Sequence, residues 1–175
     1  MCCYLAGNLE NVSDQESSDW RGYVTKEFDK LGIICLDPKI QCFTNQIDEN
    51  SESVKFLKKL LANGKYDKVH DFTQRIIRRD LRMVDRADFL ILSINPFKPT
   101  YGSTHELVQA NVQRKPVIVQ IDKIETMPIW YCGLIDFDLV FESFDEVIEC
   151  VNKLNKTNPK KLNDKHWKIW KDEYK

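Results

Sequence analysis

The side chains with the most chemical reach are two carboxylates. Asp80 lies in Arg79-Asp80-Leu81, and Glu106 in Gly102-Ser103-Thr104-His105-Glu106-Leu107. Between them Ala87-Asp88-Phe89-Leu90-Ile91-Leu92 reads as a buried strand, giving the order polar helix, strand, loop, helix. That order sets both acids near the carboxyl end of a parallel strand, where open α/β sheets bind ligands. Glu106 is expected in the first turn of its helix, where the dipole favours the ionised form. An ionised carboxylate beside a bound sugar can attack the anomeric carbon and form a glycosyl ester. Asp80 is placed to hold a sugar hydroxyl or carry a proton to a departing base. Tyr4 and Gly7, on an adjacent first strand, supply a phenol to orient Glu106 and a glycine that lets a ligand approach the backbone.

Each of these residues also has a plainer explanation. Glu106 can form a capping box with Ser103. Asp80 can pair with Arg78, Arg79 or Arg82 on an exposed helix face, an arrangement worth little energy. Tyr4 can be a core tyrosine and Gly7 a turn glycine.

The elements that must position them follow from periodicity. Residues 2–6 are a short apolar run stopped by Gly7, and a polar, acid-rich loop is expected over 8–18. Asp19 can cap a helix from Trp20 with Tyr23, Val24, Phe28 and Leu31 at helical spacing, ended by Gly32. Residues 33–36 read as a second strand closed by Asp37-Pro38. Residues 39–70 look like an insertion, with a short helix over 51–62 burying Val54, Leu57, Leu60 and Leu61. Asp71 is expected to cap a long helix with the apolar stripe Phe72, Ile76, Ile77, Leu81 and Val84. Residues 89–94 form a third strand, apolar enough for burial on both faces. A helix from Ser103 or Thr104 to about Arg114, strands at 116–120 and 138–141, and a Ser143-capped helix complete the domain. Strands alternating with helices imply right-handed crossovers and a doubly wound five-stranded parallel sheet with helices on both faces.

At 175 residues the chain is expected to be one domain over 1–158 with a lysine- and tryptophan-rich arm over 159–175. A net charge of −1 gives no basic field for nucleic acid. The arm's Trp167 and Trp170 among lysines offer stacking and charge, but aromatics three apart more often pack on their own domain or a partner subunit. No apolar run reaches membrane-span length and no signal peptide is legible, so a cytoplasmic protein is expected. The six cysteines contain no C-x-x-C pair and no histidine at ligand spacing, so reduced thiols are expected and no metal.

Taken in order, Tyr4-Leu5-Ala6-Gly7, Trp20-Arg21, Asp37-Pro38, Arg79-Asp80-Leu81, Ala87-Asp88, Gly102 to Leu107 and Lys115-Pro116-Val117 resemble the nucleoside 2-deoxyribosyltransferase family, which includes the 2'-deoxynucleoside 5'-monophosphate N-glycosidases. The resemblance covers about residues 2–145, leaving the insertion and the arm unmatched. It implies a flavodoxin-like fold and cleavage or transfer at an N-glycosidic bond, with no cofactor. It also implies a small-molecule nucleoside or nucleotide partner and a homo-oligomer. By position Glu106 resembles the family's nucleophile, Asp80 the acid that contacts the sugar, and Tyr4 the residue that positions the nucleophile. Gly7, Asn8, Asn95, Thr100, Gly102, Ser103 and Thr104 are expected to bind substrate, the hydroxyl residues taking a 5'-phosphate at the helix N-terminus with Lys98 adding charge. His105 departs from the aromatic or aliphatic residue expected before the glutamate. A nucleotide-binding or sensing module without catalysis is the alternative, because fold does not fix function. A plain assembly protein that uses the tryptophan-bearing arm is the third reading.

Overall fold

A computed structural model describes residues 1–8, 14–40, 51–98 and 101–156. Five strands, β1 (Cys2–Gly7), β2 (Ile34–Leu36), β3 (Phe89–Ile94), β4 (Val117–Ile121) and β5 (Val140–Phe141), form one parallel sheet in the order β2-β1-β3-β4-β5. The helices are α1 (Asp14–Asp29), α2 (Ser51–Ala62), α3 (Tyr66–Arg86), α4 (Tyr101–Val112), the short α5 (Ile129–Cys132) and α6 (Phe144–Lys156). The order reverses between β1 and β3, which is the topological switch point of a flavodoxin-like sheet.

Alternation along β1 and β3 divides the core into two layers. Tyr4, Ala6, Leu90 and Leu92 face one cluster with Met83 and Val84 of α3 and Leu107 and Ala110 of α4. Cys3, Leu5, Phe89 and Ile91 face the other, with Val24 and Phe28 of α1 and Val147 and Val151 of α6. Each fully buried Phe or Leu adds roughly 1.5–3 kcal/mol of transfer free energy. The two-sided burial explains the continuous apolar runs.

Several boundaries differ from expectation. The helix α1 begins at Asp14, so residues 14–18 of the acid-rich segment read as loop are helical. α3 begins at Tyr66 with Lys65 at its N-cap, so Asp71 caps nothing. Along α3 the inward face carries Asp80, Met83 and Val84, while Ile77 is exposed. In α2, which packs on α3, Leu61 is likewise exposed. β5 is shorter than expected, because residues Phe137–Leu139 form a 3₁₀ turn before it. The Ser143 capping box does form: the Ser143 hydroxyl accepts from the Glu146 amide at 3.3 Å, and the Glu146 carboxylate accepts from the Ser143 amide at 3.1 Å. Among the described residues no helix is long and apolar enough to cross a membrane. Thr100 and the 159–175 arm lie outside the described residues.

Candidate active site

Strand β1 directs Tyr4 into the layer beneath α3 and α4, where its ring is wholly buried. Its hydroxyl donates to Oε1 of Glu106 at 2.7 Å. Glu106 shares the inner face of α4 with Ser103, Leu107 and Ala110 at helical spacing. Because α4 starts at Tyr101, Glu106 stands in the second turn rather than the first, and it is no capping residue. Its electrostatics differ from expectation for the same reason. Burial raises the Glu106 pKa from 4.5 to about 7, opposed by the Tyr4 hydrogen bond, reinforced by the Asp80 charge and eased by Arg21 and Arg79. The carboxyl is therefore close to half protonated at neutral pH, instead of firmly ionised.

Asp80 is buried as well, within the apolar face of α3. Arg79 holds its Oδ1 through both Nε and Nη2, each at 2.9 Å. The expected arginine pairing is thus present, but on the inner face and not on an exposed one. A second arginine, Arg21, is completely buried. Its Nη2 donates to the Gly7 carbonyl at 3.0 Å, its Nε lies 3.6 Å from Asp37 Oδ1, and its guanidinium sits 4.4 Å from the Trp20 ring centroid. Arg21 so ties together the carboxyl ends of β1 and β2. Burial raises the Asp37 pKa, against the Lys39 amide and the Arg21 charge.

The substrate-binding candidates separate into three sets. Asn8 and Asn95, at the ends of β1 and β3, line two adjoining cavities of about 650 and 310 Å³. The larger adds Trp20, Gln120, Asp122, Lys123 and Phe144; the smaller adds Tyr101, Ser103, Thr104, Trp130 and Tyr131. Asn8 Nδ2 donates to the Lys98 carbonyl, and the Thr104 hydroxyl bonds the Tyr131 hydroxyl. Gly7 has a packing role: a Cβ there would stand 2.9 Å from Trp20 Cζ2 and 3.3 Å from Ser93. Gly102 is exposed with open space around it. Neither cavity is lined by Tyr4, Asp80 or Glu106, which form a buried polar cluster; the smaller cavity reaches the same helix α4 through Ser103 and Thr104.

Arg21, Asp37 and Arg79 complete this cluster, and periodicity alone does not single them out. For Arg21 the signal is its place three residues before Val24 and seven before Phe28 on the core face of α1, where an arginine requires a buried acceptor. Among the described residues no group of His, Cys, Asp or Glu could hold a metal ion.

No protein-family model matches the chain, and no curated protein matches it by sequence. Solved structures do match. A 2-deoxyribosyltransferase from Bacillus psychrosaccharolyticus superposes with a TM-score of 0.55 at 16% identity, over 85% of this chain and 90% of that one. The fold is that of the 2-deoxyribosyltransferases. A conserved protein from Enterococcus faecalis V583 gives 0.54 at 16% identity, over 87% of this chain and 98% of that one. A CMP N-glycosidase from Clostridium botulinum gives 0.52 at 9% identity, over 87% and 98%. The 2-deoxyribosyltransferase fold thus spans nearly the whole described chain, with β1, α3 and α4 carrying the polar cluster.

Proposed function

We propose that this chain is an enzyme that breaks the N-glycosidic bond of a 2'-deoxynucleoside or its 5'-monophosphate, with Glu106 as nucleophile. The observation that carries the reading is the buried 2.7 Å hydrogen bond from Tyr4 to Glu106, with Asp80 on the neighbouring helix. Tyr4 holds Oε1 and so orients Oε2 for attack on C1' of the sugar. As the base departs, positive charge develops on the sugar ring, in an oxocarbenium-like transition state. The Asp80 charge raises the proton affinity of Glu106, and a pair of carboxylates placed so is matched to that cation. Asp80, anchored by Arg79, contacts a sugar hydroxyl or delivers the proton the base needs. The resulting glycosyl ester on Glu106 is then resolved by water, giving hydrolysis, or by a second base, giving transfer. Structures of the same fold that bear the names 2-deoxyribosyltransferase and CMP N-glycosidase support the substrate class.

Asn8, Asn95, Ser103 and Thr104 line the space where the substrate's polar groups would lie. The exposed side chains of Tyr101, Ile129 and Trp130 beside that space support self-association of the chain. Incubation with deoxynucleosides and their monophosphates, with and without an acceptor base, tests the proposal by chromatography of the released or exchanged base. Free or exchanged base that disappears in Glu106→Ala supports it. No turnover of any substrate, or near-normal turnover by Glu106→Ala, sinks it.

A further inference from the structure

Two thiols outside the candidate site face one another across the first two strands. In the β1–β2 pairing Cys3 lies directly opposite Cys35, on the side of the sheet that packs against α1 and α6. Their sulfurs are 3.3 Å apart. Neighbouring strands run about 4.8 Å apart, within the Cα separation of roughly 4.4–6.8 Å that a disulfide spans. Closing the contact into a bond therefore asks for side-chain rotation and little strand movement. Cys3 is fully buried, whereas Cys35 is partly exposed on β2, the edge strand. Cys2 packs against the opposite layer and is directed away from this pair. The two thiols are also unlike in acidity. Burial pushes Cys3 well above the ordinary thiol range, while the hydrogen bond from Cys3 lowers Cys35. The thiolate is the form that meets an oxidant.

We propose that Cys3 and Cys35 form an oxidation site, at which a hydroperoxide converts the facing thiols into a reversible cross-strand disulfide. In the first step the Cys35 thiolate attacks the peroxide. The O–O bond breaks, an S–O bond forms, the sulfur loses two electrons, and the departing oxygen leaves as water or an alcohol after taking a proton. In the second step the Cys3 sulfur attacks the Cys35 sulfenic acid. The S–S bond forms, the S–O bond breaks, and the hydroxyl leaves as water with the Cys3 proton. A dithiol returns both residues to thiols by exchange. The bond would tie the start of β1 to β2, two residues before the Asp37 that faces Arg21.

Peptide mapping of the full chain after graded hydrogen peroxide, without reduction, tests this. The expected product joins the Cys3 and Cys35 peptides, is two hydrogen masses lighter than their sum, and is lost on adding dithiothreitol. It forms before oxidation of Cys132 or Cys150. In Cys3→Ala the sulfenic acid persists on Cys35 and is trapped by dimedone, with circular dichroism confirming that the variant folds. A Cys2–Cys35 product, no cross-link in the native protein, or oxidation of Cys132 and Cys150 at the same rate as Cys35 would overturn the proposal.

Discussion

Replacing Tyr4 with phenylalanine tests the proposed nucleophile through its proton. The ring stays in the core and only the hydroxyl that donates to Glu106 is lost. That hydrogen bond is among the influences that lower the Glu106 pKa, which burial otherwise raises. A hydrogen bond to a charged group is worth about 1.5–3 kcal/mol, and each pKa unit corresponds to about 1.4 kcal/mol. Tyr4→Phe should therefore move Glu106 from about 7 up to about 8 or 9. At pH 7 the ionised fraction falls from about one half to between about a tenth and a hundredth, so kcat/KM drops roughly 5- to 50-fold. At pH 9 the variant recovers to within about twofold of the native enzyme, because most or half of its Glu106 is then ionised. The assay is a pH profile of kcat/KM for base release, with thermal unfolding to show that both proteins stay folded across the range. An acid limb that stays near pH 7, with activity lowered by the same factor at every pH, would refute the reasoning. Tyr4 would then act on the chemistry or the packing and not on the ionisation of Glu106.

The remaining predictions concern stability. Because the folded-state pKa of Glu106 is raised, its proton is held more tightly folded than unfolded; the associated stability is fully present below pH 4.5 and lost as pH rises through about 7. Glu106→Gln should accordingly exceed the native protein by up to about 3 kcal/mol in urea unfolding at pH 8, and by nothing near pH 4. A pH-independent difference would contradict this. Arg21→Met removes the cation from a fully buried position and leaves Asp37 and the Gly7 carbonyl without it, for an expected loss of about 3–5 kcal/mol in urea titration. Gly7→Ala puts a methyl 2.9 Å from Trp20 and should lower stability by about 1–3 kcal/mol. A neutral result there would show that Trp20 moves aside.

The sheet was legible because its strands are buried on both faces. The apolar run at β3 is short and bounded by Ala87-Asp88 and Asn95-Pro96, which marks a strand, and its observed limits are Phe89–Ile94. The starts of α1 and α3 were not legible, because their first turns are polar and only tertiary context turns polar segments into helix. The setting of Asp80 was missed although its place was legible: Ile76, Ile77 and Val84 stand four and three residues before it and four after it, on its own face of α3. Its arginine neighbours suggested a surface pair, whereas Asp80 is buried beside Met83 and Val84. Arg21 was least legible of all, since its partners arrive from the ends of two strands brought together only by the β1–β2 pairing.

That cluster gives physical content to the link between fold and proposed chemistry. A buried carboxylate raised to about 7 is a liability for folding at neutral pH, as the Glu106→Gln comparison measures. The fold retains it within a ring of compensation: the Tyr4 hydroxyl on Glu106, Arg79 on Asp80, and the positive charge of Arg21 nearby. A purely structural carboxylate could be replaced by an apolar residue of similar size with no loss, and often with a gain. A site awaiting a cationic sugar needs the opposite, two acids held close and dry before the substrate arrives. Under the proposed reaction Tyr4, Asp80 and Glu106 belong to the second kind, so stability gained and activity lost in the same Glu106 variant would be the strongest joint support for it.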